Sequence, residues 1–154
     1  MRRPQDHPRP ITLRDYVRRR NGVPLGASGA LPNMLRRSFG AGSFAGFWRY
    51  WNPIFGYYLG TYIFRPTSTV APRAIAVIVT FLACGALHDL VTVLARGSTQ
   101  FLFTYWFFLM ALGLLIGEAV QLKFARYSIG VRAAINLGYL LICLVGAVML
   151  QRLV

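Results

Sequence analysis

The stretch AIAVIVTFLACGALHDLVTVLA, residues 74–95, decides how the chain is read. Its 22 residues are interrupted only by His88 and Asp89. At about 1.5 Å per residue, a helix of about 20 residues crosses the roughly 30 Å hydrocarbon core of a bilayer. Two more stretches have the same character: Thr99–Gln121, interrupted by Glu118, and Ala133–Leu150, with Asn136 near its start. All three predict transmembrane helices. The short link Arg96–Ser98 makes the first two an antiparallel hairpin. Within the second, Gly113 and Gly117 form a GxxxG pair, which permits close helix contact and is read as tight internal packing rather than a dimer face.

Composition agrees with this start. The 154 residues suit one domain; 56% are hydrophobic and 14% charged, against about 25% charged in soluble domains. Two cysteines exclude a disulfide scaffold. The high apolar content excludes disorder for most of the chain.

The charge is concentrated at one end. Lys and Arg total 17 against 4 acids, a formal charge of +13. Residues 1–49 hold ten of the arginines: Arg2, Arg3, Arg9, Arg14, Arg18, Arg19, Arg20, Arg36, Arg37 and Arg49. Prolines 4, 8, 10, 24 and 32 prevent one long helix there. A short basic helix fits Thr12 to Arg20, with Thr12 as N-cap and Gly22 beyond its end. No apolar core follows the early arginines, so no signal peptide is expected, and Arg2-Arg3 makes a poor twin-arginine export signal. The chain divides into a basic cytoplasmic arm, 1–43, and a membrane domain, 44–154. A basic arm joined to membrane spans is expected at an anionic inner leaflet, which argues against nucleic acid as the target of Arg18–Arg20.

Residues 44–64 are aromatic-rich but contain Arg49, Asn52 and Pro53. From Pro53 to Phe64 a helix would reach only about 18 Å, so an interfacial or re-entrant element buried against protein is expected. If this segment does not cross, fifteen Lys and Arg lie on one side and two on the other; if it crosses, the split is twelve and five. The positive-inside rule selects the first arrangement. The expected fold is all-α: an integral membrane protein of the inner or plasma membrane type, with three transmembrane helices plus one embedded or re-entrant short helix. Met1 is then cytoplasmic and Val154 outside.

Two features stand out chemically. His88 and Asp89 lie about 21 Å into their helix, a depth at which ionisable groups usually face a bundle interior or wet cavity. Cys84 and Gly85 precede His88 by one turn; Val91 and Thr92 follow it. The plain reading is a histidine bonded to another helix. The only other histidine is His7 in the polar arm, which disfavours haem. The second feature, Ser43 to Asn52, has the aromatics and arginine of an interfacial anchor. Glu118 is expected to pair with Lys123 or an arginine of the following loop. Cys84 and Cys143, each eleventh in spans that run the same way, read as inert buried thiols at similar depth. No Walker loop, GxSxG, paired-His motif or cysteine cluster occurs, and no metal is expected.

Together, the two features resemble the membrane-bound O-acyltransferase (MBOAT) family. Phe47-Trp48-Arg49-Tyr50-Trp51-Asn52 is similar to its aromatic motif ending in Trp-Asn or Trp-His. Thr80 to Asp89 is similar to its apolar helix ending in Gly-x-x-His. The resemblance covers about residues 35–120 and lies closer to the sterol, diacylglycerol and wax ester acyltransferases than to the alginate-modifying branch. It implies acyl transfer, commonly from acyl-CoA as co-substrate and with no tightly bound cofactor, to a hydroxyl acceptor. His88 would be the general base and Asn52 would orient or stabilise the reacting group. Arg65 and Arg73, by their position, could attract the phosphates of CoA. Family members are typically several hundred residues, with many more helices around the reaction chamber. A membrane protein partner or a homo-oligomer would therefore complete the site. Two other readings follow from the same residues: a non-catalytic, MBOAT-derived subunit that scaffolds a larger membrane complex, and a proton or lipid pathway through His88, Asp89 and Glu118.

Overall fold

Several helices start or stop at a residue whose chemistry dictates it. The structure, a computed structural model, describes residues 11–153; Arg2, Arg3, Asp6, His7, Arg9 and Val154 lie outside the described residues. Helix α1 (Leu13–Asn21) begins at Thr12, whose hydroxyl accepts from the Asp15 amide, and ends at Gly22 with φ 81°, as the sequence predicts. Helix α2 (Ala30–Phe39) follows. Helix α3 (Phe44–Tyr50) is capped by Ser43, which accepts from the Gly46 amide. Helix α4 (Pro53–Leu59) starts at Asn52 and runs through a π-helical turn, Gly60–Phe64, into α5 (Arg65–Val70).

Three helices are long and apolar enough to cross a membrane: α6 (Arg73–Arg96), α7 (Leu102–Ala119) and α8 (Ile129–Gln151). Their boundaries differ modestly from the apolar runs. Helix α8 starts four residues early because the Ser128 hydroxyl caps it. Helix α7 starts three residues late because residues 97–101 form the turn of the hairpin, with Phe101 in the left-handed region. Leu87, Val91, Leu94, Ile142 and Val145 are exposed on the outer sides of these helices, as lipid-facing residues are in a protein whose backbone groups are satisfied internally.

Small residues set the packing. A Cβ on Gly85 would lie 2.7 Å from the Phe103 carbonyl oxygen and 2.7 Å from Thr104 Cα, so the backbones of α6 and α7 touch there. A Cβ on Gly113 would lie 2.7 Å from the Tyr139 ring, and one on Gly117 would lie 3.2 Å from Phe44. The GxxxG pair thus serves internal packing. The Tyr139 hydroxyl donates to the Met110 carbonyl, and Trp106 Nε1 donates to the Leu140 carbonyl at 3.0 Å, binding α7 to α8. Cys84 and Cys143 share one core cluster with Phe107, Met110 and Tyr139, and both thiols are free.

Residues 44–70 double back on themselves. Ser43 and Phe44 line a cavity together with Arg73 and Glu118, which places the start of α3 at one end of the spans. Phe64 packs against Val77 near that same end, and Val70 is three residues from Arg73. Between these points the chain rises to Asn52, level with residues deep in α6, and returns. Phe47 fills the rise: it is 1% exposed and packs on Phe39, Trp48 and Trp51.

The basic arm is attached rather than free. Asn136, fully buried, donates to the carbonyls of Phe39, Ala41 and Arg132 at 2.9, 3.0 and 3.0 Å. The Phe124 amide donates to the Gly42 carbonyl at 2.9 Å. Tyr16 meets Tyr57 edge-on at 5.5 Å, so α1 rests against α4.

Candidate active site

Helix α6 turns about 100° per residue, so His88 and Asp89 face different neighbours. Asp89 is 2% exposed and turns to the start of α7. Its carboxylate accepts from the amides of Phe103 and Thr104, at 3.3 and 2.8 Å, and from the hydroxyls of Thr99 and Thr104, at 3.0 and 2.7 Å. Four donors match the acceptor-only inventory of an ionised carboxylate. The open amides of a helix N-terminus also favour negative charge. Asp89 is a cap that closes the hairpin.

His88 lines a cavity of about 240 Å³ between α6 and the re-entrant segment. Its ring lies among three phenylalanines, Phe55, Phe103 and Phe107, at centroid distances of 6.1, 5.5 and 5.1 Å. Nδ1 lies 2.8 Å from the Cys84 carbonyl oxygen. A carbonyl only accepts, so Nδ1 carries the hydrogen and Nε2 is the ring nitrogen left without that contact. Nε2 has no partner among the described residues. The ring is thus held in orientation by Cys84 within a largely aromatic wall.

Asn52 lines the same cavity. It is the N-cap of α4, its Oδ1 accepting from the Phe55 amide at 3.3 Å. The cap occupies the oxygen and leaves the Nδ2 hydrogens to donate elsewhere. The backbone of Asn52 sits at φ 38°, ψ 70°. This left-handed conformation is tolerated by asparagine better than by most residues, and Pro53 at the first helical position follows naturally from it. Such a position costs on the order of 1–3 kcal/mol and persists where surrounding packing imposes it. The packing is supplied by Trp48 and Trp51. Trp48 donates from Nε1 to the Tyr139 hydroxyl at 3.3 Å and packs on Phe81 at 5.0 Å, anchoring α3 to the spans.

The structure therefore brings together Asn52 and His88, which are 36 positions apart in sequence, and separates both from Asp89 and Glu118. Glu118 requires a correction. Its partner is Arg73, at the start of α6, through a bidentate contact of 2.7 and 2.9 Å, not Lys123 or an arginine of the following loop. The antiparallel hairpin explains it: the last turn of α7 lies beside the first turn of α6. Arg73 is thereby committed to Glu118, while Arg65 is exposed. Sequence reasoning missed Gly60, which lines the cavity in the π-helical turn and beside which an added Cβ would meet nothing within 4 Å. A π-helical turn carries no residue signature.

No protein-family model, curated protein or solved structure matches the chain.

Proposed function

We propose that the chain is an MBOAT-like membrane acyltransferase, or the motif-bearing part of one, moving an acyl group from acyl-CoA to a hydroxyl acceptor. The observation that supports this reading is the meeting of Asn52 and His88 on one mostly apolar cavity wall, with the Nδ1 hydrogen directed to Cys84 and Nε2 open. Nε2 of His88 takes the acceptor's proton as its oxygen attacks the thioester carbonyl. Asn52 Nδ2 donates to the oxygen on which charge develops. The tetrahedral centre then collapses, the C–S bond breaks, and the imidazolium returns its proton to the departing CoA thiolate. The ester and free CoA are the products, and no electrons change hands.

The test is acyl transfer from labelled acyl-CoA in membranes that hold the wild type, His88→Ala or Asn52→Ala. His88→Ala should lower the rate by about 10²–10⁴-fold, the range for loss of a general base. Asn52→Ala should weaken transfer and leave residual activity. Equal rates for wild type and His88→Ala would refute the assignment.

One observation favours a second reading. The cavity, at about 240 Å³, lies below the roughly 300–1,000 Å³ of most ligand sites. It holds neither a long acyl chain nor CoA in full. A membrane protein partner or second copy would complete the chamber; alternatively, the chain is a non-catalytic subunit that retains the motifs and scaffolds a larger complex. Transfer by neither wild type nor variant, with the copurifying complex intact, supports the subunit. Within either reading the N-terminus is cytoplasmic at an anionic inner leaflet, which the charge count of fifteen Lys and Arg against two supports.

A further inference from the structure

Helix α3 and the turn into α4 separate two cavities. Trp48, Trp51 and Asn52 line the His88 cavity on one side; Arg49 and Tyr50 line a second cavity, of about 710 Å³, on the other. Arg36, Arg37, Lys123 and Arg132 complete the cationic wall of that second cavity. From this clustering we infer a binding site for a phosphate-bearing anion at the membrane surface, distinct from the His88 cavity and independent of the acyltransferase reading.

Five cations surround the space, and the carboxylates that would neutralise them are engaged elsewhere. Of the three acids among the described residues, Asp15 accepts from Thr12 at 2.7 Å, Asp89 caps α7, and Glu118 holds Arg73. The Nε of Arg132 is buried and lacks an acceptor among the described residues. Arg37 is held over the Tyr50 ring at 5.1 Å, which fixes its planar fork before a ligand arrives. Four of the five cations are arginines, the side chain that matches phosphate oxygens in pairs. Their level is also informative: Lys123 precedes α8 and Arg132 lies in its first turn, where the bilayer's phosphates lie. The ligand chemistry has two sources, the headgroup of an anionic phospholipid and a soluble phosphate or diphosphate.

The full chain, in nanodiscs of phosphatidylcholine with a minor fraction of phosphatidylglycerol, is exchanged into neutral detergent and its retained lipid identified by native mass spectrometry. In parallel, its melting temperature is followed against inorganic pyrophosphate. Wild type should retain phosphatidylglycerol over phosphatidylcholine, be stabilised by pyrophosphate, or both. Retention alone assigns the lipid source; stabilisation alone assigns the soluble one. Arg36→Gln/Arg132→Gln should weaken whichever response is present at least tenfold. Arg18→Gln/Arg19→Gln, which removes equal charge from α1 outside the cavity, should change it less than twofold. Arg49→Gln alters an exposed side chain and decides the matter if the double variant loses helicity. No response in the wild type, an unchanged response in Arg49→Gln, or equal losses in the α1 and cavity pairs would overturn the site.

Discussion

His88 and Asp89 differ in how far sequence can reach. A histidine deep in an apolar run is visible as an anomaly because the bilayer penalises it, whatever surrounds it. The role of Asp89 is invisible in the same line of letters. Its four donors come from Thr99, Phe103 and Thr104, which reach it only when α6 and α7 fold back on each other. Asn136 is similar: polar near the start of a span, yet its partners Phe39 and Ala41 lie almost a hundred positions away. Asp89→Asn replaces one acceptor oxygen with a donor that faces donors. We expect a loss of at least about 2 kcal/mol in unfolding free energy, the range for breaking hydrogen bonds to a buried charge, measured by denaturant titration in detergent. A loss under 0.5 kcal/mol, on the order of a surface change, would show that the cap is dispensable.

At the scale of elements, three spans were legible because 18 to 24 apolar residues leave few alternatives. The start of α4 was legible from Pro53; its continuation through the π-helical turn to Val70, past the expected end at Phe64, was not. Nor was the π-helical turn, which has no residue signature and itself packs on α6. Glycines separate the two kinds of contact. Gly85→Ala would drive a methyl group into the backbone of α7, whereas at Gly138 nothing lies within 4 Å. Gly85→Ala should therefore lower the melting temperature by several degrees, and Gly138→Ala should leave it unchanged or raise it, as alanine does in a helix. Gly60 offers the complementary experiment. Its backbone is helical, at φ −63° and ψ −39°, and its Cβ direction is open. Gly60→Leu should fold normally and occupy the cavity beside His88. If the acyltransferase reading holds, transfer falls at least about tenfold with thermal stability kept; full activity with a filled cavity would place the acceptor elsewhere.

For the whole molecule, the sequence anticipated a lopsided charge, and the fold sets Arg36, Arg37 and Arg49 around one cavity with Lys123 and Arg132. What it did not anticipate is the attachment of the arm to α8 through Asn136 and Gly42. Single cysteines added at the two termini, with Cys84 and Cys143 replaced by alanine, should be labelled from opposite sides of intact cells. Labelling of both from one side would require a fourth crossing. Asn136→Leu should leave that sidedness intact yet expose Phe39–Ala41 to limited proteolysis, because the three carbonyls lose their donor.

The re-entrant path of residues 44–70 also dictates an order of events during synthesis. These residues leave the ribosome before α6, α7 and α8, yet Trp48 needs Tyr139 and Phe81, and Phe44 stacks on Tyr139 at 4.1 Å. Until α8 is in place, the segment lacks the Tyr139 side of its packing. Its packing is therefore completed last. A nascent chain halted after Arg126 should therefore leave Asn52 open to water-soluble reagents on the arm's side, and release through Val154 should close it.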